Sequence, residues 1–393
     1  MNCIYKPNRQ STRPCDKVAA QAGFSLVELL VVVAISLLMM VAILQLFLDV
    51  TRTRDEMAKT NAQMENGRFA IQVIADDVIH GGFWDGYIPQ FDDLTSSDIP
   101  ADYPVAAPAP CEAYPWGADA AAIAAYELRL LAVPVQVYDA VPPGCAAVVT
   151  SKQADTDVLV VRHAETVSYP ASCDTDSTPA SCAGYDGDKV YFQTSQCAGA
   201  SPSYVLSTGG FSLQKMTCLA SALTDIRRYV ANIYYIRDFS VTAGDGIPTL
   251  MRAEFGGDGA TGWSVQPLIE GIEGLVVELG VDTVSDSGAA VDYATAVTWA
   301  DPLNKTSPTN RGDGAPDGAF VHCSACTVDQ LANTVAVKIH VLARNVDATR
   351  GYTDAKAYQL GSVALDPDDK SFKRHVYSTT VRLNNVSMRR ETP

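Results

Sequence analysis

Residues 23–48 of the chain read GFSLVELLVVVAISLLMMVAILQLFL. From Phe24 to Leu48 the only charged side chain is that of Glu28. As an α-helix these residues would be about 38 Å long, which exceeds the roughly 30 Å hydrocarbon core of a bilayer. The sequence therefore predicts one membrane-spanning helix over residues 24–48.

Charge is distributed unevenly around this apolar run. The 393 residues include 29 basic and 45 acidic side chains, a net charge of −16. Residues 1–23 carry four Lys or Arg against one Asp, a net of +3, so the remainder carries −19. The positive-inside rule places residues 1–23 in the cytoplasm and the rest outside it. Such an acidic body argues against nucleic-acid binding through a general basic surface.

A secretory signal peptide and a simple membrane anchor are the plainer interpretations of the run. A signal peptide needs a small-x-small cleavage triplet after its apolar part. The best such triplet, Ala20-Gln21-Ala22, precedes the run instead. A simple anchor does not explain Glu28, because a carboxylate at mid-membrane costs up to roughly 3 kcal/mol. We therefore expect Glu28 to have a function and a partner.

Gly23 and Phe24, followed by Glu28 and an apolar helix, resemble the class III signal of type IV pilins and type II secretion pseudopilins. The resemblance implies that a prepilin peptidase cuts between Gly23 and Phe24, removes the leader 1–23 and N-methylates Phe24. It also implies that Glu28, the fifth residue of the mature chain, neutralises the N-terminal amine of a neighbouring subunit. The apolar helix would stay on the mature protein.

The helix is predicted to continue well beyond the apolar run. No Pro occurs between Phe24 and His80, and Gly67 is the only Gly there. Apolar residues recur at helical spacing near residue 74, and Gly81-Gly82 is a strong stop signal. One helix is expected over 24–80, with 24–48 in the membrane or filament core and the last turns against a globular head.

The segment ENGRFA at residues 65–70 is similar to one in PilW-type minor pilins, and a related segment occurs in J-type minor pseudopilins. The chain is more than twice as long as a major pilin, which favours the minor class. The resemblance implies an α+β fold, in which the long N-terminal helix packs on a mainly antiparallel β-sheet head.

The exported head is expected to have two parts, a variable disulfide-containing part at 81–220 and a β-sheet part at 221–393. A short helix is predicted near 118–131. Seven strand-like runs are separated by Gly, Pro, Asp and Ser clusters, and no helix alternates with them, so antiparallel pairing is favoured. These runs are Asp157–Arg162, Val190–Thr194, Tyr229–Arg237, Thr249–Phe255, Gly274–Asp282, Thr334–Ala343 and Ser378–Leu383.

Cysteines in the head point to disulfide bonds. Cys3 and Cys15 lie in the leader and would be lost with it. An even number in an exported head predicts disulfides, each stabilising by about 2–4 kcal/mol. Many connectivities are open, and nearness along the chain favours pairing neighbours. The favoured pairs are Cys111 with Cys145, Cys173 with Cys182, Cys197 with Cys218, and Cys323 with Cys326.

Two motifs have both a functional and a structural interpretation. Cys323 and Cys326 form a C-x-x-C, but no second one follows to complete a four-thiolate zinc site, so a structural disulfide is favoured. Residues 257–262 match the G-x-G-x-x-G pattern of dinucleotide sites. Trp263, Val265 and Pro267 follow where that motif requires a helix, so a Gly-rich hairpin loop is predicted instead.

The segment from Arg311 to Gly318 reads RGDGAPDG. Arg-Gly-Asp can bind integrins, but chance occurrence of three residues is common. Asp313 and Asp317 are candidate calcium ligands, although the twelve-residue calcium loop is absent, and a solvated turn is favoured. Since no hydrolase, phosphate-loop or metalloprotease motif is present, we predict no enzymatic activity and no cofactor.

The resemblance to PilW-type minor pilins implies a minor pilin that helps to prime type IV pilus assembly and lies at or near the pilus tip, with roles in adhesion and twitching motility. The expected partners are the prepilin peptidase, other minor pilins, the major pilin, the inner-membrane assembly platform and a tip adhesin. The expected location is the inner membrane, with the head in the periplasm, and then the pilus. The alternatives are a J-type pseudopilin of type II secretion and an adhesin head, with residues 83–220 as its binding surface.

Overall fold

A computed structural model describes residues 23–256 and 262–391. Apart from Gly23, the predicted leader lies outside these residues, together with Cys3 and Cys15. Helix α1 extends from Leu26 to His80 without interruption, as the absence of Pro and the two glycines after it indicate. By length and composition, α1 contains a segment able to cross a membrane. The chain separates into two compact units with their boundary between Met57 and Ala58.

The head contains one larger and one smaller sheet, and every strand pair in the described residues is antiparallel. In the larger sheet β5 is central and pairs with β2, β3 and β6. Further out, β1 pairs with β2, β4 pairs with β3, and β7 pairs with β6. Its strands are β1 (Val135–Tyr138), β2 (Val158–Ala164), β3 (Tyr191–Thr194), β4 (Tyr204–Ser207), β5 (Ile226–Arg237), β6 (Thr249–Phe255) and β7 (Trp263–Glu270).

The smaller sheet has the order β14, β11, β8, and within the described residues two short hairpins and three short α-helices accompany the sheets. The remaining strands are β8 (Ile272–Val281), β9 (Trp299–Asp301), β10 (Thr306–Pro308), β11 (Thr334–Arg344), β12 (Tyr358–Leu360), β13 (Val363–Leu365) and β14 (Arg374–Arg382). The helices are α2 (Ala120–Ala132), α3 (Val328–Ala332) and α4 (Asn384–Arg390). The predicted α+β class, with a long N-terminal helix and a mainly antiparallel head, is confirmed.

All seven predicted strand-like runs overlap observed strands, and the helix predicted near 118–131 is α2. Sequence reasoning missed β1 and β4, which have four residues each, and β7, which contains Pro267. It also missed the hairpins β9–β10 and β12–β13, whose strands have three residues each. The larger sheet takes strands from both sides of residue 220, because β2 and β3 both pair with β5.

The second half of α1 packs on the sheets through one stripe of side chains. The buried positions of α1 recur every three or four residues, at Gln63, Gly67, Ala70, Ile74 and Val78. The last three of these join a core formed by residues of both sheets. A second core covers the opposite face of the larger sheet, where α2 and the aromatic residues of 83–149 pack. The larger sheet is therefore buried on both faces, and its strands carry runs of apolar residues.

Four disulfide bonds are present in the part of the head that the structure describes. They join Cys111 to Cys145, Cys173 to Cys182, Cys197 to Cys218, and Cys323 to Cys326. Three of them lie in the irregular parts of 81–220, where few long strands stabilise the chain. The disulfides therefore restrict the part of the head that has the least regular secondary structure.

Candidate assembly site

The start of α1 contains the residues that the class III signal singled out. Gly23 and Phe24 precede the helix and are exposed. The Ser25 hydroxyl accepts a hydrogen bond from the Glu28 backbone N–H at 3.1 Å, and the Ser25 carbonyl accepts one from Leu29 at 3.1 Å. Ser25 thus caps the helix, and Glu28 occupies its first turn, where a negative charge is favourable. The S-x-x-E spacing of a capping box would have revealed this role of Ser25.

The apolar run forms an uncovered helical surface. Every side chain from Phe24 to Val50 is exposed, with Leu26 75% and Leu38 71% accessible. So large an apolar surface is not stable in water and indicates contact with lipid or with other helices. Glu28 is the only charge on the surface between Phe24 and Leu48.

The ENGRFA segment is divided between two surfaces of α1. Asn66 donates a hydrogen bond to the Glu270 carbonyl at 3.1 Å, and Ala70 is fully buried. Gly67 lies under the ring of Tyr377 on β14. The other side chains of the segment are exposed, and Phe69 retains 53% of its accessible surface. Asn66, Gly67 and Ala70 of this segment therefore attach the second half of α1 to the sheets of the head.

Gly67→Ala is expected to destabilise the head by about 1–3 kcal/mol, although Ala favours a helix over Gly by about 1 kcal/mol. A Cβ at this position would be 2.2 Å from Cε2 of Tyr377, so the ring would have to move. Urea unfolding of the full chain in detergent would measure the loss. Tyr377→Ala in the same chain should remove the penalty of Gly67→Ala, and equal penalties in both backgrounds would contradict the steric explanation.

Further polar contacts hold the end of α1 against the head. Asp77 accepts hydrogen bonds from His163 Nε2 at 2.9 Å and from the Asn232 amide at 3.1 Å. The Asn385 amide on α4 lies 3.3 Å from the carbonyl oxygens of Ile79 and His80. These carbonyls have no partner within the helix, so α4 caps the C-terminus of α1.

Arg390 on α4 is the centre of a buried ionic network. Its guanidinium contacts Asp92 at 2.9 Å and Asp282 at 3.3 Å, and it also donates to the Asn333 side chain at 3.0 Å. Arg390 is 2% exposed and Asp282 is fully buried. Burial raises the pKa of Asp282 to about 6, against the opposing charge of Arg390. Nothing in the sequence around Arg390 distinguished it from a surface arginine.

The candidate residues of the C-x-x-C motif lie in a loop. Cys323 and Cys326 are bonded to each other, and His322 contacts buried Asp157 at 3.1 Å. Within residues 23–256 and 262–391, no group of three potential metal-binding side chains is found. Residues 257–261 of the glycine-rich motif lie outside the described part. Strand β7 follows the motif and pairs with β6, as expected of a hairpin.

The Arg-Gly-Asp tripeptide is not presented to solvent as a unit. Arg311 is 2% exposed, and its guanidinium donates to the carbonyl oxygens of Asn310 and Thr295. The Asp313 carboxylate accepts from the Ala315 N–H at 2.8 Å. The carboxylate of Asp317 accepts from two backbone N–H groups, those of Thr283 at 2.6 Å and Val284 at 2.8 Å. Both candidate calcium ligands therefore accept hydrogen bonds from backbone N–H groups, Asp313 within its own loop and Asp317 from the chain that follows β8.

One serine, histidine and glutamate are hydrogen-bonded in series across the smaller sheet. His340 Nδ1 is 2.7 Å from the Ser378 hydroxyl, and its Nε2 is 3.3 Å from Glu278. Burial lowers the pKa of His340. The other oxygen of Glu278 accepts the Ser362 N–H at 2.7 Å. Since both carboxylate oxygens are used within the fold, the series links β14, β11 and β8 as a structural network.

Two family models match segments of this chain. Residues 233–385 match the family described as Type IV Pilus-assembly protein W, and residues 19–44 match the prokaryotic N-terminal methylation motif. A solved type IV-like pilin from Thermus thermophilus is similar at 11% identity, over 65% of this chain and 85% of that chain, with a TM-score of 0.22. No curated protein sequence matches the chain. Residues 26–44 of the methylation-motif match lie on the exposed apolar helix, and the PilW match covers β8, β11 and β14. In these two segments the chain is similar to type IV pilin-like proteins of the PilW type.

Proposed function

We propose that this chain is a minor pilin that helps to start assembly of the type IV pilus and lies at or near its tip. The observation that carries the proposal is the exposed apolar half of α1, whose only charge from Phe24 to Leu48 is Glu28. The PilW match supports a pilus in preference to a secretion pseudopilus. Function requires lateral assembly with other pilins and no catalysis by this chain.

The proposed sequence of events begins in the inner membrane. A prepilin peptidase cuts between Gly23 and Phe24 and methylates the new amine of Phe24. The carboxylate of Glu28 then pairs with the amine of an axially shifted neighbouring pilin, which offsets the cost of burying both charges. The partners are other minor pilins, the major pilin and the inner-membrane assembly platform, and the product is a priming complex that remains at the tip.

Glu28→Leu tests the assembly role. The variant should insert at least as well as the parent, because it removes a charge costing up to roughly 3 kcal/mol in the membrane. The number of pili, counted by electron microscopy, should fall while the protein accumulates in the inner membrane. Gln45→Leu is the matched control, since it removes a polar side chain from the same apolar helix, and it should leave piliation unchanged.

Two results would contradict the proposal. Normal piliation and normal recovery of other pilins with Glu28→Leu would remove the pairing role of Glu28. Processing gives an independent check, because the peptidase must fit Gly23 beside the cut, so Gly23→Val should leave an uncut precursor. A mature N-terminus at any residue other than Phe24 would exclude the class III signal.

A further inference from the structure

One segment of the head differs from the rest in charge. Between Asp188 and Asp225 lie 36 residues without a single Asp or Glu, whereas the average of 45 acidic residues in 393 would place about four there. The only charged side chains in this segment are Lys189 and Lys215. Lys189 lies 4.0 Å from Asp186, just before the segment, so the charge that distinguishes the segment is that of Lys215. A positive charge without acidic neighbours along the chain favours contact with an acidic surface.

Within this segment, residues 213–224 form a hairpin that is well attached at its base. Leu213 is buried, and its backbone N–H donates to the Gln193 side chain at 3.0 Å. The Thr224 N–H donates to the Leu213 carbonyl at 2.9 Å, and the Lys215 N–H donates to the Ala222 carbonyl at 2.8 Å. The two arms of the hairpin are therefore joined to each other and to β3.

The tip of the hairpin, residues 216–221, is held by additional bonds. The Cys218 N–H donates to the Lys215 carbonyl at 2.8 Å, and the Ala222 N–H donates to the Leu219 carbonyl at 2.9 Å. The Cys197–Cys218 disulfide ties the tip to the chain that follows β3. A tip already ordered in the free protein loses little conformational entropy on binding.

This ordered tip exposes two large apolar side chains. Met216 is 81% exposed and Leu219 is 57% exposed, and the exposed Lys215 precedes them. Neither side chain contributes to the buried cores. Single exposed apolar residues are common on protein surfaces, but these two lie three positions apart on one disulfide-bonded turn. Methionine and leucine fill apolar pockets, and a lysine beside them pairs with carboxylates at the rim.

We infer that the tip at 216–221 is a docking projection that inserts Met216 and Leu219 into an apolar pocket of a different protein subunit, with Lys215 paired to carboxylates at the pocket rim. The inference rests on the proposed function for the location of this partner, among the proteins that assemble with the chain. The absence of acidic residues from the segment prevents repulsion by such a rim, and the disulfide keeps the projection in its binding conformation.

Site-specific photo-cross-linking in living cells tests the inference with the full chain. Benzoylphenylalanine replaces Met216 in one variant and Leu303 in the control, because Leu303 is 90% exposed on the β9–β10 hairpin. Irradiation should yield one discrete adduct from position 216 and none of that mass from position 303. Mass spectrometry should locate the adduct in the partner at an apolar sequence flanked by Asp or Glu.

Two second-site substitutions then test the chemistry of the contact. Leu219→Ser and Lys215→Glu should each lower the adduct yield from position 216 by at least about tenfold, the effect of losing one interface anchor. Leu303→Ser, which exposes the same change on another hairpin, should leave the yield unchanged. All three residues are exposed, so the thermal unfolding midpoint should be the same in every variant and shows whether folding is intact.

Several outcomes would overturn the inference. These are an absent adduct, an adduct with a second copy of this chain or with lipid, and an adduct whose yield is insensitive to Lys215→Glu. The outcome is separable from that of the proposed function. If piliation depends on Glu28 but not on Lys215 or Leu219, and no adduct forms, the docking projection alone is refuted. If position 216 gives its specific adduct but Glu28→Leu leaves piliation unchanged, the proposed assembly role alone is refuted.

Discussion

Arg390→Met is expected to lower the free energy of unfolding of the head by about 3–5 kcal/mol. The methionine would fill much of the same space but leave Asp92 and Asp282 without their shared cation. Asp92 is 4% exposed and Asp282 is fully buried, so water cannot replace the guanidinium. Removing one partner of a buried ionic network costs far more than the network itself contributes, because an uncompensated charge remains buried.

The loss should also depend on pH in a defined direction. Burial already raises the pKa of Asp282 to about 6, above its unfolded value of roughly 3.9, so its contribution to stability is full below pH 4 and is lost as the pH rises through about 6. Arg390 opposes this rise, and its removal shifts the pKa of Asp282 further upward. The deficit of the variant should therefore be smaller at pH 5 than at pH 8.

Urea unfolding of the full chain in detergent, followed by tryptophan fluorescence, measures both effects, since Trp84 and Trp116 are buried in the head. Arg382→Met is the matched control. Arg382 also pairs with a carboxylate, that of Glu391, but both side chains are 46% exposed. An exposed pair contributes at most about 1 kcal/mol. Equal losses in the two variants would show that burial does not determine the cost.

Removing the Cys111–Cys145 disulfide is expected to cost about 4 kcal/mol, whereas removing Cys323–Cys326 should cost about 2 kcal/mol, on the loop-entropy account. The first bond closes a loop with a sequence separation of 34, and the second one of only 3. A longer loop gains more freedom in the unfolded chain when its bond is removed. Cys145 is also fully buried in the aromatic core beneath α2.

Paired Cys→Ala variants measure the two costs without leaving unpaired thiols. Their free energies of unfolding are compared with that of the parent chain under oxidising conditions. The processed parent protein, which has lost Cys3 and Cys15 with the leader, should also show no reactive thiol before reduction, because all eight head cysteines are bonded. A larger loss for Cys323→Ala/Cys326→Ala than for Cys111→Ala/Cys145→Ala, or labelling of Cys323 in the unreduced protein, would contradict the prediction.

Local sequence features were sufficient to predict the long N-terminal helix. The apolar run, the absence of Pro up to His80 and the paired glycines after it predict α1 to within two residues of its observed start at Leu26. These features act through residues near one another in the chain, so a periodic pattern records them directly. The long strands β5, β8 and β11 were predicted for the same reason, since each has many apolar residues in succession.

Other features depended on contacts between distant residues. Gly67 accommodates Tyr377 from the end of the chain, and Arg390 joins Asp92 and Asp282. The four-residue strands β1 and β4 are too short for a reliable period and are held by their neighbours in the sheet. In the sequence alone, Arg390 resembles an exposed arginine and Gly67 an unfavourable helix residue. Burial and steric fit arise only when residues hundreds of positions apart are packed together, and no local pattern carries that information.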